Sequence, residues 1–176
     1  MQKHFTINIS IASFIFILFI TDLSLATSTL KQYQKIKIEI TTHLGDKQTF
    51  LNGDIVKFLV NLDTDSYLTV IYQDAKGQLI QLIPNQKQGN FYKAGLFISL
   101  LNENSNFRFK IQAPYGDEYI WIFASDESNY KLEGTKIKNG LILLSSSLEK
   151  IRTQIHEKAN IKFGQAHLKL HTKNVK

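Results

Sequence analysis

Apolar and polar residues alternate with a period of two through much of the chain. Ile36, Ile38 and Ile40 alternate with Lys35, Lys37 and Glu39. One side of this stretch is therefore apolar and the other charged, the mark of a half-buried strand. Ile55 to Asn61 repeats the pattern, with Val56, Phe58 and Val60 on one face. Tyr67 to Gln73 is rich in β-favouring residues, and Asp74-Ala75-Lys76-Gly77 joins it to Gln78 to Ile83 as a hairpin. Phe97 to Leu101, Phe107 to Gln112 and Glu118 to Ala124 give three more strands, the second with the clearest alternation in the chain.

Residues with turn chemistry separate these runs. Asn52-Gly53-Asp54 and Asp63-Thr64-Asp65-Ser66 combine a residue tolerant of positive φ with side chains that bond nearby backbone. Pro84-Asn85 ends a strand because proline cannot donate to a ladder, and Ala113-Pro114-Tyr115-Gly116-Asp117 reads as another turn. After Asn139-Gly140 the period changes. Leu141, Leu144, Leu148, Ile151 and Ile155 fall on one face of a helix, whose regular part begins near the weak helix formers Ser145 to Ser147. Ile161 to Leu170 returns to alternation as a final strand. The predicted fold is mainly β: an antiparallel β-sandwich, Ig-like in general architecture. One C-terminal amphipathic helix covers an edge or end and is followed by a last strand.

The first residues read differently. Met1-Gln-Lys3-His is basic, Phe5 to Ile20 is almost wholly apolar, and Ser24-Leu25-Ala26 places small residues around a cleavage point. This is the pattern of a secretory leader spanning residues 1–26. Its sixteen-residue apolar run covers about 24 Å as a helix, short of the roughly 30 Å hydrocarbon core of a membrane. The expected product is residues 27–176, one domain without a transmembrane span, periplasmic or secreted.

Composition narrows the chemistry. The chain has 176 residues and no cysteine, which excludes disulfides, thiolate nucleophiles and cysteine-bound metals. Asn61, Asp63 and Asp65 resemble the start of a calcium loop, but Ser66 and Tyr72 stand where such a loop needs Gly and Glu. His167 and His171 share a strand face about 13 Å apart, too far for one metal ion, with no acid near either in sequence. Ser147-Leu148-Glu149-Lys150 matches the S-x-x-K signature without its companion elements. No catalytic residue, metal site or cofactor is expected.

Two sets of residues are candidate contacts. Tyr119, Trp121 and Phe123 share one strand face and read as core, whereas Phe91, Tyr92 and Tyr115, with Tyr130, stand in loops. Together with Asn85 these loop aromatics are the expected rim of a small-molecule or glycan site. The formal net charge is +6, and from Lys150 onward seven cations face Glu157 alone. Lys158, Lys162 and Lys169 are the expected contacts for a protein or an anionic envelope partner. Nucleic acid is not expected for an exported chain without a recognition motif.

Between Leu51 and Leu132 the turn and strand residues form an ordered set. It comprises Asn52-Gly53-Asp54-Ile55-Val56-Lys57-Phe58, Asp63-Thr64-Asp65-Ser66-Tyr67-Leu68, Gln81-Leu82-Ile83-Pro84-Asn85, Ala94-Gly95 and Pro114-Tyr115-Gly116-Asp117-Glu118. This set resembles the bacterial domain of unknown function 4384, with Ser66 where Gly is commoner and Tyr115 where Phe is common. The resemblance implies a small β-sandwich of exported bacterial proteins, found alone or attached to caspase-like peptidase or kinase domains. It carries no established catalytic residues. The expectation is a non-catalytic interaction module, with a small-molecule or glycan receptor as the alternative and a hydrolase third.

Overall fold

The computed structural model describes residues 32–85, 88–101, 108–128 and 131–175. The expected leader, residues 1–26, and Phe107, Tyr130 and Lys176 lie outside them. The first alternating stretch is divided at Ile36 and Lys37 into β1 (Gln34–Lys35) and β2 (Ile38–Thr42). Next come β3 (Thr49–Leu51), β4 (Ile55–Val56), β5 (Phe58–Leu62), β6 (Ser66–Gln73) and β7 (Leu79–Ile83). They are followed by β8 (Phe91–Tyr92), β9 (Ile98–Ser99), β10 (Phe109–Lys110) and β11 (Asp117–Ser125). The order closes with β12 (Gly134–Lys136), β13 (Ile142–Leu144), α1 (Leu148–Lys158) and β14 (Lys162–Lys173).

The turns work as their side chains dictate. Asp74 Oδ1 accepts from the backbone N–H of Lys76 and Gln78, and Gly77 takes φ +84°, so β6 folds back onto β7. Asp63 and Asp65, the start of the apparent calcium loop, accept instead from the backbone N–H of Lys37 and Ala94. They tie distant segments to the turn.

The large sheet has the order β1-β14-β11-β6-β7-β13-β12, with β3 on β14 and β8 on β6. A small sheet has the order β2-β5-β9, and β4 pairs with β10. The sandwich-like, mainly β fold agrees with the alternation, but its pairing is mixed. β14 runs antiparallel to β11 over nine residue pairs, while β1 and β3 join its other edge in parallel. The last strand is therefore internal, not a margin. Ile36 passes so close to β14 that a Cβ on Gly164 would lie 2.3 Å from the Ile36 carbonyl oxygen.

Burial explains the layers. Val56, Phe58, Val60 and Leu62 from one side pack with Leu68, Val70, Ile120, Ile122, Leu168 and Leu170 from the large sheet. A second core lies on the opposite, outer face of that sheet, where Ile151 and Ile155 of α1 meet Ile71, Leu79 and Phe123. The helix thus covers part of a sheet face, not an edge or end. It also starts later than the full apolar spacing suggests. Ser147 caps it by accepting from the Lys150 N–H, and Ile142–Leu144 before it is strand. Leu141-Ile142-Leu143-Leu144 is a continuous apolar run that fits either period, and pairing with β7 and β12 decides it.

Candidate functional site

Strand alternation sorts β11 and β14 into two faces. Glu118, Ile120, Ile122 and Ala124 point to the main core, and Asp117, Tyr119, Trp121 and Phe123 point outward. Phe123 is 2% exposed beneath α1, so for this residue the expected core position holds. Trp121 and Tyr119, further along the strand, are only half-buried. Register sets Asp117, Tyr119 and Trp121 directly opposite His171, Lys169 and His167 of β14, and Gln73 of β6 opposite Tyr119 on the other side.

The array is knit by short contacts. Trp121 stacks with Tyr119 at 5.8 Å between ring centroids, and His167 lies 4.7 Å from Trp121. Trp121 Nε1 donates to Gln73 Oε1 at 2.9 Å. Asp117 accepts from Lys169 Nζ at 2.8 Å and meets His171 Nδ1 at 2.7 Å. The Lys169 ammonium, with His171 beside it, holds the Asp117 carboxyl below its ordinary value, and Asp117 in turn raises Lys169. The result is an aromatic row bordered by compensated charges on the part of the sheet that α1 leaves uncovered.

The opposite face of the same turn is structural. Glu118, 1% exposed, accepts from Tyr72 Oη and Thr172 Oγ1, both at 2.7 Å. Burial raises its carboxyl above the ordinary value, the two donors oppose that, and nearby Asp74 adds to it. Burial and Glu118 also push the Tyr72 hydroxyl upward, which keeps it a donor.

The residues proposed from sequence do not converge on one rim. Asn85 closes its own turn, donating to the Leu82 carbonyl and accepting from the Gln88 N–H. Tyr92 accepts from Gln88 Nε2 and donates to the Leu100 carbonyl, and burial pushes its hydroxyl up to about 12. Phe91 is 52% exposed and packs on Tyr67 at the start of β6. Tyr115 packs against the main core beyond the far end of that strand. Eight residues of β6, about 26 Å of strand, lie between the two ends.

The basic residues divide likewise. Lys158 is exposed at the end of α1, and Lys162 begins β14. Lys169 lies seven residues from Lys162, hence on the opposite sheet face and about 23 Å along the strand. A cavity of about 500 Å³ beside α1 is lined by Lys35, Arg152, His156, Glu157, Phe163 and Gln165, among others, a mixture of both charges. Among the described residues no cluster of His, Asp or Glu is placed to hold a metal ion, and no helix is long and apolar enough to cross a membrane.

The turn residues quoted from sequence and the strands they join are those of a known family. Residues 49–128 match the model of a domain of unknown function, DUF4384. The chain carries a DUF4384 domain. Comparison with curated proteins and with solved structures gave no match. Within the DUF4384 segment, Asp54 accepts from the Leu51 N–H, Asp63 and Asp65 brace neighbouring strands, and Glu118 anchors the turn at Pro114 to β14. The quoted residues make the fold. The outward row draws Tyr119 and Trp121 from the DUF4384 segment and His167, Lys169 and His171 from beyond it. Sequence reasoning placed Tyr119 and Trp121 in the core and left the two histidines without an acid. The missing information was the pairing of β11 with β14, which no spacing along the chain encodes.

Proposed function

We propose that the chain is exported, to the periplasm or the medium, and acts there as a non-catalytic binding module. The leader pattern of residues 1–26 supports export. The contact face is the uncovered part of the outer sheet. One observation carries this reading: Tyr119, Trp121 and His167 form a row of rings beside α1, flanked by Asp117, Lys169 and His171, on a face where solvent-side strands ordinarily carry polar residues. The non-catalytic reading rests on the same geometry. Asp117, Lys169 and His171 there are paired with one another on an open surface, not in the water-excluding cavity that acid–base chemistry exploits.

Co-sedimentation of purified residues 27–176 with the source cell's envelope fraction tests it. Retention lost in Tyr119→Ala/His167→Ala and kept in Lys158→Glu/Lys162→Glu is the expected result. The reverse pattern returns the contact to the basic end of the chain and a protein or anionic envelope partner. Equal retention of all three removes the outer face from the account.

A further inference from the structure

We infer that the outer-face row binds an uncharged glycan chain, an assignment that rests on the binding role given to that face above. Three features point to this ligand. The first is size. From Asp117 to Trp121 the row runs about 13 Å along two strands roughly 5 Å apart. That is the footprint of a short oligosaccharide, and far below the roughly 800 Å² that each partner gives to a stable protein interface.

The second feature is charge. Asp117 sits between Lys169 and His171, so the ammonium within the row has a carboxylate beside it. A polyanion or an acidic membrane surface gains little from such a pair, because the ammonium already has its carboxylate. A neutral ligand can lie over that pair without breaking it.

The third feature is chemical mixture. Sugar rings present apolar C–H surface and a dense fringe of hydroxyls. The exposed parts of Tyr119, Trp121 and His167 offer apolar ring surface to the first. The Tyr119 hydroxyl, the Asp117 carboxylate, the Gln73 amide and the exposed Gln165 amide offer donors and acceptors to the second. Because the Gln73 hydrogen bond fixes the indole and cross-strand packing fixes the rings, the row loses little side-chain freedom on binding.

Trp121 is the only tryptophan in the chain, so its emission reads this face alone. The test titrates residues 27–176 with hexasaccharides of N-acetylglucosamine, of β-1,4-linked glucose and of α-1,4-linked glucose. Parallel titrations use polyphosphate and heparin. The expected result is a saturable change with at least one neutral hexasaccharide. Its Kd should be unchanged between 50 and 500 mM salt, about the range over which exposed charge interactions are screened. It should weaken at least ten-fold in Tyr119→Ala, with Lys158→Glu/Lys162→Glu as a control that binds like the parent. Unchanged thermal unfolding of Tyr119→Ala separates lost contact from lost fold. If no neutral hexasaccharide alters the emission or slows migration through a polysaccharide gel, while envelope retention still needs Tyr119 and His167, the glycan assignment falls and the contact face stands. Salt-sensitive binding to polyphosphate or heparin overturns it in favour of an anionic ligand. If envelope retention is itself indifferent to Tyr119 and His167, both readings fall.

Discussion

Replacing Tyr72 by Phe removes one hydroxyl from a buried carboxylate and leaves the ring in place. In the parent, Glu118 is 1% exposed and receives two hydrogen bonds of 2.7 Å, from Tyr72 and Thr172. A hydrogen bond to a charged buried group is worth about 1.5–3 kcal/mol, and one to a neutral group about 0.5–1.5 kcal/mol. Burial raises the Glu118 carboxyl above its ordinary 4.5, and the two hydroxyl donors only partly offset this. The contribution of Glu118 to stability is therefore fully present below pH 4.5 and is lost as pH rises through its higher folded value. Tyr72→Phe removes a donor that favours the charged form, so the folded value rises further and the loss at neutral pH deepens. The expected cost is about 2 kcal/mol at pH 7.5 and about 1 kcal/mol at pH 4. For a chain of this size those costs lower Tm by about 6 °C and 3 °C, respectively. Thermal unfolding followed by circular dichroism at the two pH values, each against the parent, reads the difference directly. A Tm decrease that is equal at both, or larger at pH 4, refutes a buried carboxylate that ionises in the folded chain.

Glu118→Gln should flatten the fall in stability between pH 4.5 and 7.5, seen in urea unfolding midpoints across that range. Gly164→Ala forces a Cβ to within 2.3 Å of the Ile36 carbonyl oxygen, and denaturant unfolding should show a loss of about 1–3 kcal/mol. Ile151→Ala opens a cavity between α1 and the outer sheet face; a loss of about 2–5 kcal/mol is expected in the same assay. Asp126 accepts from the backbone N–H of Asn160, Ile161 and Lys162, which outweigh its partial burial and hold its carboxyl below the usual value. Its contribution is thus present above pH 3.8 and lost as pH falls through the lower folded value. Asp126→Asn should cost about 1 kcal/mol at pH 7 and less in acid, measured by urea unfolding.

Local patterns proved readable where one residue's neighbours in sequence are also its neighbours in space. Val56, Phe58 and Val60 alternate inward as their spacing says, and Asp74 and Gly77 make the turn their chemistry prescribes. Ser147 marks the start of α1 because a cap acts within three residues. The failures are non-local. Leu141 to Leu144 fits either a helix or a strand until β7 and β12 claim it. Phe91, Tyr92 and Tyr115 all read as loop aromatics, yet Phe91 and Tyr92 pair with the start of β6 as β8 while Tyr115 lies beyond its other end. Asp117 finds Lys169 and His171 across more than fifty residues of chain, through a register set by the whole length of β11 and β14. Trp121 lies on the face expected to be core, and only the position where α1 ends its cover leaves it half-open.

The placement of β14 governs when this protein can fold. It leaves the ribosome after every strand it pairs with, yet it bonds to β1, β3 and β11 and supplies Thr172 to Glu118. Until it arrives, β11 has a nine-residue edge without its partner, and the Glu118 carboxylate lacks one of its two donors. Such long-range pairing makes folding slow and late. A truncation at residue 128, where the DUF4384 match ends, keeps that incomplete state permanently and presents an edge open to other chains. The span that defines the family is thus shorter than the span that folds.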